Sequence, residues 1–206
     1  MKLDSGSERP VRLRERLREE TQAAILSAAE KVFAADGLER ARMESIAARA
    51  GVAVGTLYNY FADREALVSA LVDARRAALL VRLDGALAEG RTRPFEEALA
   101  GFLRAWFEHW EAHRGLLSLL FHAEGMARAA RGRGAIVDEA TRRAEDLLAR
   151  GRSEGKVLPD EDGLQAALLV GLVWGALVRD VIRDGGPAAA RRADRVLETF
   201  LRGAGR

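Results

Sequence analysis

Apolar residues in this chain recur every three or four positions along most of its length. Strict alternation, the mark of a half-buried strand, is absent, so the pattern predicts an all-α fold. Ile25, Ala28, Ala29, Val32 and Phe33 fall on one face of a helix predicted from about Arg18 to Ala35, which Gly37 ends. Ile46, Ala47, Ala50, Val52, Leu57 and Phe61 then bracket Gly51, which predicts two short helices joined by a glycine turn. Only glycine reverses a chain there with φ > 0 at no steric cost. A fourth helix is predicted from an Asp63 N-cap to about Leu87, with Leu67, Leu71, Ala74, Ala78 and Val81 at helical spacing. Gly90 to Pro94 breaks the pattern, and Pro94 suits the start of the next helix. Further helices are expected over Phe95–His113, Ala135–Arg150, Glu161–Arg183 and Ala188–Leu201. Gly125 to Gly134, rich in Gly, Ala and Arg, reads as a loop.

Composition narrows the class. The 206 residues are 49% hydrophobic and 31% charged, which is the balance of an ordinary globular protein with length enough for a real core. There is no cysteine, which removes disulfides, thiolate metal sites and Cys nucleophiles. The N-terminal residues lack the apolar stretch of a secretory signal. The longest apolar run, Ala166 to Val178, is too short to span a bilayer and holds two glycines, so a buried helix is expected and no membrane partner. A cytoplasmic protein is expected by elimination. The net charge of +2 says little about partners. Its distribution says more, because Arg9, Arg12, Arg14, Arg16 and Arg18 crowd the N-terminus with Glu15 as the one acid among them. That arm suits DNA phosphates or a minor groove, and it equally suits a solvated tail.

The chemistry concentrates in the second short helix. It carries the protein's two tyrosines, Tyr58 and Tyr60, beside Thr56 and Asn59, with polar atoms left to face outward. A helix too short to bury much, preceded by a glycine turn, is the form of a helix-turn-helix whose second helix enters a major groove. Thr56 can reach a phosphate or a base edge, the tyrosines can hold phosphates or sugars, and Asn59 can read adenine. Gly55 lets the backbone come close to the DNA.

The ordered string Phe33-Ala34-Ala35-Asp36-Gly37, Ile46-Ala47, Ala50-Gly51-Val52, Gly55 to Phe61 and Arg64-Glu65-Ala66-Leu67 extends this reading. The stretch from Glu20 to Leu67, about a quarter of the chain, resembles the DNA-binding domain of the TetR (tetracycline-repressor-like) transcriptional regulators. The resemblance implies a three-helix reading domain over 18–67 behind a basic arm at 1–17, and a helical ligand-binding and dimerisation domain over 68–206. It implies a homodimer on a palindromic double-stranded operator, a small-molecule effector, no catalysis, and no cofactor. Arg42, Val54, Gly55, Thr56, Tyr58, Asn59, Tyr60 and Arg64 are the DNA-binding residues it marks, Arg64 as a phosphate anchor. Three positions depart from the family pattern. Ala41 and Ala53 stand where Thr and Ser commonly cap the two short helices, and Val54 stands where Lys often follows. A lost cap costs about 0.5–2 kcal/mol of local stability, and Arg40, Arg42 and Arg49 offer replacement phosphate contacts.

Three features beyond the reading domain each have two readings. Phe102, Trp106, Trp110, Phe121 and Trp174 form an aromatic stripe that is either plain core or the wall of an apolar effector pocket. Ala167, Gly171 and Gly175 form a small-residue row for close helix packing, within the chain or across a dimer that also uses Ile136 to Leu148. His109 and His113 have the i, i+4 spacing of metal ligands but lack an evident third ligand beyond His122 or Glu124, so no metal is assigned. The alternatives to an effector-released repressor are a ligand-independent DNA-binding regulator and a helical enzyme or metal-binding bundle.

Overall fold

The computed structural model describes the backbone of residues 8–115, 123–183 and 185–205, and side chains over 13–115, 136–183 and 185–205. The fold is all-α. The chain divides into two compact units, Met1–Leu71 and Val72–Arg206.

The first unit holds α1 (Glu8–Asp36), α2 (Met43–Ala50), α3 (Val54–Tyr60) and the first turns of α4 (Arg64–Gly90). Helix α1 begins ten residues before the expected start, so the arginine-rich arm is helical from Glu8. Arg and Leu propagate helices well, and the i, i+4 pair of Arg16 with Glu20 (2.9 Å) supports the extension. Its core face is the one read from the sequence, with Ile25, Ala29 and Phe33 at 0–1% exposure. Gly37 (φ 79°) ends the helix, and Gly51 (φ 71°) turns α2 into α3. The amide of Val52 closes that turn on the Ala47 carbonyl at 3.0 Å. Ile46, Ala47, Leu57, Leu67 and Leu71 complete the small core.

Asp63 caps α4 as expected, its carboxylate accepting from the Ala66 amide at 2.7 Å. The buried positions of α4 are Leu67, Leu71, Leu79 and Leu83, whereas Val81 is 71% exposed, against expectation. Leu79 and Leu83 continue the i, i+4 row from Leu67 and Leu71 after two turns of alanine-rich surface, and Val81 lies off that row.

The second unit continues α4 and adds α5 (Phe95–Ala112), α6 (Ala123–Ser153), α7 (Leu164–Ile182) and α8 (Ala189–Ala204). The expected loop over 125–134 is instead the beginning of α6. Each glycine costs about 1 kcal/mol in a helix, but Ala127, Ala129, Ala130 and the arginines at 128, 131 and 133 are strong helix formers and prevail. Among the described residues the one β feature is an isolated bridge between Val157 and Gly205.

Two close approaches set the packing. A Cβ on Gly151 would lie 2.5 Å from the Phe95 ring, and one on Gly90 would lie 2.9 Å from the Ala98 side chain. Arg150 secures the same corner by donating to the Gly90 carbonyl at 2.8 Å and to that of Arg93. Asp160 caps α7 through the amides of Leu164 and Gln165, both at 3.0 Å. At the other end of α7, buried Arg192 joins Asp180 (2.6 Å) and Glu111 (3.2 Å), with its guanidinium 5.5 Å from the centre of the Phe107 ring. Glu111 also accepts from the Ala189 amide at 2.7 Å, so this ion cluster binds α5, α7 and α8 together.

Candidate nucleic-acid interface

Seven residues make α3, and Leu57 is the one it buries completely, with Phe61 following four positions on as the second anchor. Everything else on the helix is left to face outward. Val54 (36% exposed), Gly55, Tyr58 (45%) and Asn59 are exposed, while Thr56 and Tyr60 are half-buried. Around Gly55 an added Cβ would meet nothing within 4 Å, so the bare backbone there faces open space. Six of the eight residues marked for DNA therefore lie together on one short helix.

Tyr60 has a support that the sequence did not disclose. The Arg18 guanidinium of α1 lies over its ring, 5.8 Å from the ring centre, which braces the ring face and adds positive charge beside it. The two positions are 42 residues apart, and no local pattern couples them. Neither short helix has a side-chain cap, and the residue at the N-cap of α2 is Arg42, one position later than the sequence comparison places it. Ala41 is instead fully buried in the loop before it. Arg42 and Arg49 are exposed, whereas Arg40 bonds through Nε to the Asp36 carbonyl at 3.0 Å.

Arg64 is arranged differently from the phosphate anchor expected. It is half-buried, and its guanidinium donates to three backbone carbonyls: Leu38 (3.2 Å), Glu39 (3.1 Å) and Ala41 (2.7 Å).

The sequence profile of the bacterial regulatory proteins of the tetR family matches residues 25–71, which is the described helix-turn-helix with its flanking helices. Residues 25–71 form a tetR-family DNA-binding domain. The chain's relatives include the HTH-type transcriptional repressor KstR2 of Mycobacterium tuberculosis, 28% identical over 179 residues, 82% of this chain and 84% of that protein. The solved structure of the ketosteroid transcriptional regulator KstR2 from the same organism superposes with a TM-score of 0.63 at 27% identity, covering 90% and 95% of the two chains. The fold is also shared with the regulator FadR of Bacillus subtilis, solved in complex with stearoyl-CoA. That superposition has a TM-score of 0.72 at 21% identity and covers 88% and 98%. With this domain the chain is a DNA-binding transcriptional regulator and not an enzyme.

In the second unit, of the residues expected around an effector, Phe102, Trp106 and Trp110 are buried and Trp174 is half-buried. Phe102 and Trp106 are fully buried and meet edge to face at 6.0 Å between ring centres. Trp110 is buried and lies 6.1 Å from half-buried Trp174. Phe121 lies outside the described residues. His109 is buried against Trp110 (5.4 Å) and His113 (4.7 Å). Burial pushes its imidazole down to about 4, and the charges of His113, Arg82 and Arg75 push the same way. Among the described residues no partner bonds the indole nitrogens of Trp106 and Trp110 or Nε2 of His109. No group of three His, Asp or Glu side chains able to hold a metal occurs there either. An open cavity of about 440 Å³ lies elsewhere, between α4 and α5, with Gly85, Ala86 and Gly101 among its lining residues and Arg82, Arg104 and Glu108 beside them.

Among the described residues, nothing packs against the small-residue row on α7. A Cβ added at Gly171 or Gly175 would meet no atom within 4 Å, and Ala167 is exposed beside them. The leucines of the same face, Leu164 (54%), Leu168 (54%) and Leu172 (37%), are exposed as well. This i, i+4, i+8 leucine row was legible in the sequence beside the glycines, and sequence reasoning passed over it. Helix α7 is long and apolar enough to cross a membrane by length and composition, and 28% of its apolar window is buried in the chain.

Proposed function

We propose that this regulator represses transcription by occupying a palindromic operator as a homodimer and leaves it when an apolar or aromatic small molecule binds its second unit. The observation that carries the reading is the outward face of α3, where Thr56, Tyr58, Asn59 and Tyr60 stand around an unobstructed Gly55. Thr56 and Asn59 read base edges, while Tyr58, Tyr60 and Arg42 hold phosphates and fix the helix in register. Val54 packs against the groove wall at the start of the helix. One short helix reads few bases, so two-fold pairing supplies the rest of the specificity.

Helix α7 supplies the pairing face. Five apolar or small residues, Ala167, Leu168, Gly171, Leu172 and Gly175, lie exposed on it without a charge between them. In a DNA-binding regulator that face meets a second copy rather than lipid, and the glycines let the two helices come close. One relative is named as a ketosteroid transcriptional regulator and a regulator of the same fold was solved in complex with stearoyl-CoA, and large apolar molecules of that kind suit an aromatic-rich second unit. An effector shifts the equilibrium only by binding the released form better than the DNA-bound one. Helix α4 runs unbroken from Arg64 to Gly90 through the division between the units, which makes it the physical link. A protein that binds DNA in this way acts in the cytoplasm.

Selection from random duplexes is the test. We expect enrichment of a palindrome, with affinity falling steeply with salt as several phosphates are neutralised. Tyr60→Phe should weaken all sequences alike, while Thr56→Ala should relax preference at particular bases. No enrichment, or both variants binding as the unaltered protein does, would overturn the reading.

A further inference from the structure

We infer that Arg64 is a positioning residue of the reading head and not a phosphate anchor. Its guanidinium fastens the loop that enters α2 to the first turn of α4. The inference rests on α3 being the helix that touches DNA.

The loop between α1 and α2 holds itself weakly. Gly37 starts it with a left-handed turn, its amide bonding to Phe33 at 2.9 Å, and the Ala41 amide bonds to Gly37 at 3.2 Å. No side chain caps α2. Three carbonyls of this loop, on Leu38, Glu39 and Ala41, converge on one side chain from the start of α4. Carbonyl dipoles attract a cation, and the planar guanidinium carries donors spaced to meet several at once. Nη1 is shared between two carbonyls and Nη2 is aimed at the third at 2.7 Å, so both terminal nitrogens of the fork are engaged inside the head. A bidentate phosphate contact would compete with those bonds.

The consequence is mechanical. Ala41 is fully buried and adjoins Arg42 and Met43, where α2 begins, and α2 is joined to α3 by the short Gly51 turn. Holding the Ala41 carbonyl therefore sets the entry of α2 relative to α4, and with it the direction of α3.

A phosphate anchor and a carbonyl clamp respond differently to substitution. Lysine keeps the charge and would serve a phosphate, but a single ammonium on a flexible stem does not reproduce the fork. We expect Arg64→Lys to lose operator affinity roughly tenfold for every sequence, a loss set by the missing charge-assisted bonds. The slope of log affinity against log salt should stay that of the unaltered protein, and in Arg64→Gln too. Loss of one phosphate contact would reduce that slope by about 0.9. Hydrogen exchange of the DNA-free protein should quicken over residues 38–47 in both variants while α1 keeps its protection. Arg64→Lys binding as the unaltered protein does, a slope reduced by one contact, or unchanged exchange over 38–47 would each overturn the inference. The exchange measurement needs no DNA, so it decides the clamp even if operator selection fails.

Discussion

Acidification should destabilise this protein through His109. The imidazole is buried beside Trp110 and His113, and burial holds it near 4, against 6.5 when exposed. The charges of Arg82 and Arg75 oppose its protonation, and its bond to the Arg75 backbone offsets them only in part. The folded form keeps the ring neutral, while the unfolded chain takes up a proton below 6.5. The stability contributed is thus intact above 6.5, falls as pH drops toward 4, and is fully lost below that. At pH 5 the unfolded chain is favoured by about 2 kcal/mol through this one group, rising to about 3 kcal/mol below pH 4. The assay is urea unfolding at pH 7.5 and pH 5.0, followed by helical circular dichroism at one fixed protein concentration, since association itself adds stability. His109→Leu removes the titrating group and leaves the other two histidines in place. Its stability at pH 7.5 will differ, because the Arg75 backbone loses a partner, so the quantity compared is the change between the two pH values. The unaltered protein should lose about 2 kcal/mol more than the variant. Equal losses would show that the ring is hydrated or charged in the fold, and the reasoning from burial would be wrong.

The reading head was legible because its pattern is local. Gly51 announces the turn, Leu57 and Phe61 announce the inward face of α3, and Asp63 announces the cap of α4, all within a few residues of the structure they produce. Misplaced elements came from reading punctuation too literally. The arginines before Arg18 read as an arm and the glycines near 130 as a loop. Arginine and leucine in the first stretch, and alanine and arginine in the second, favour helix by more than the interruptions cost. Side-chain partners distant in sequence were beyond reach. Nothing in the sequence places Arg18 on Tyr60, Arg64 on the Leu38 carbonyl or Arg192 on Asp180, because tertiary packing alone creates those pairs. The aromatic stripe shows the remaining limit. Composition puts Phe102, Trp106 and Trp110 inside, as they are, but whether an interior opens for a ligand depends on the energy of repacking, which residue type does not encode.

Two further outcomes test the second unit. Arg192→Ala should destabilise it by about 3–5 kcal/mol in thermal or urea unfolding, because the Asp180 carboxylate would stay buried with only exposed Arg179 (3.1 Å) to offset it. A loss below 1 kcal/mol would mean that water reaches the cluster. Gly171→Leu separates the two roles of the α7 glycines, because among the described residues its Cβ meets open space and a helix propensity gain of up to about 1 kcal/mol should leave each protomer at least as stable. Across a close helix pair the same side chain has no room, so sedimentation at micromolar concentration should show a dimer for the unaltered protein and a folded monomer for the variant. A variant that stays dimeric would move the pairing face away from α7, and a variant that unfolds would show that Gly171 packs within its own chain after all.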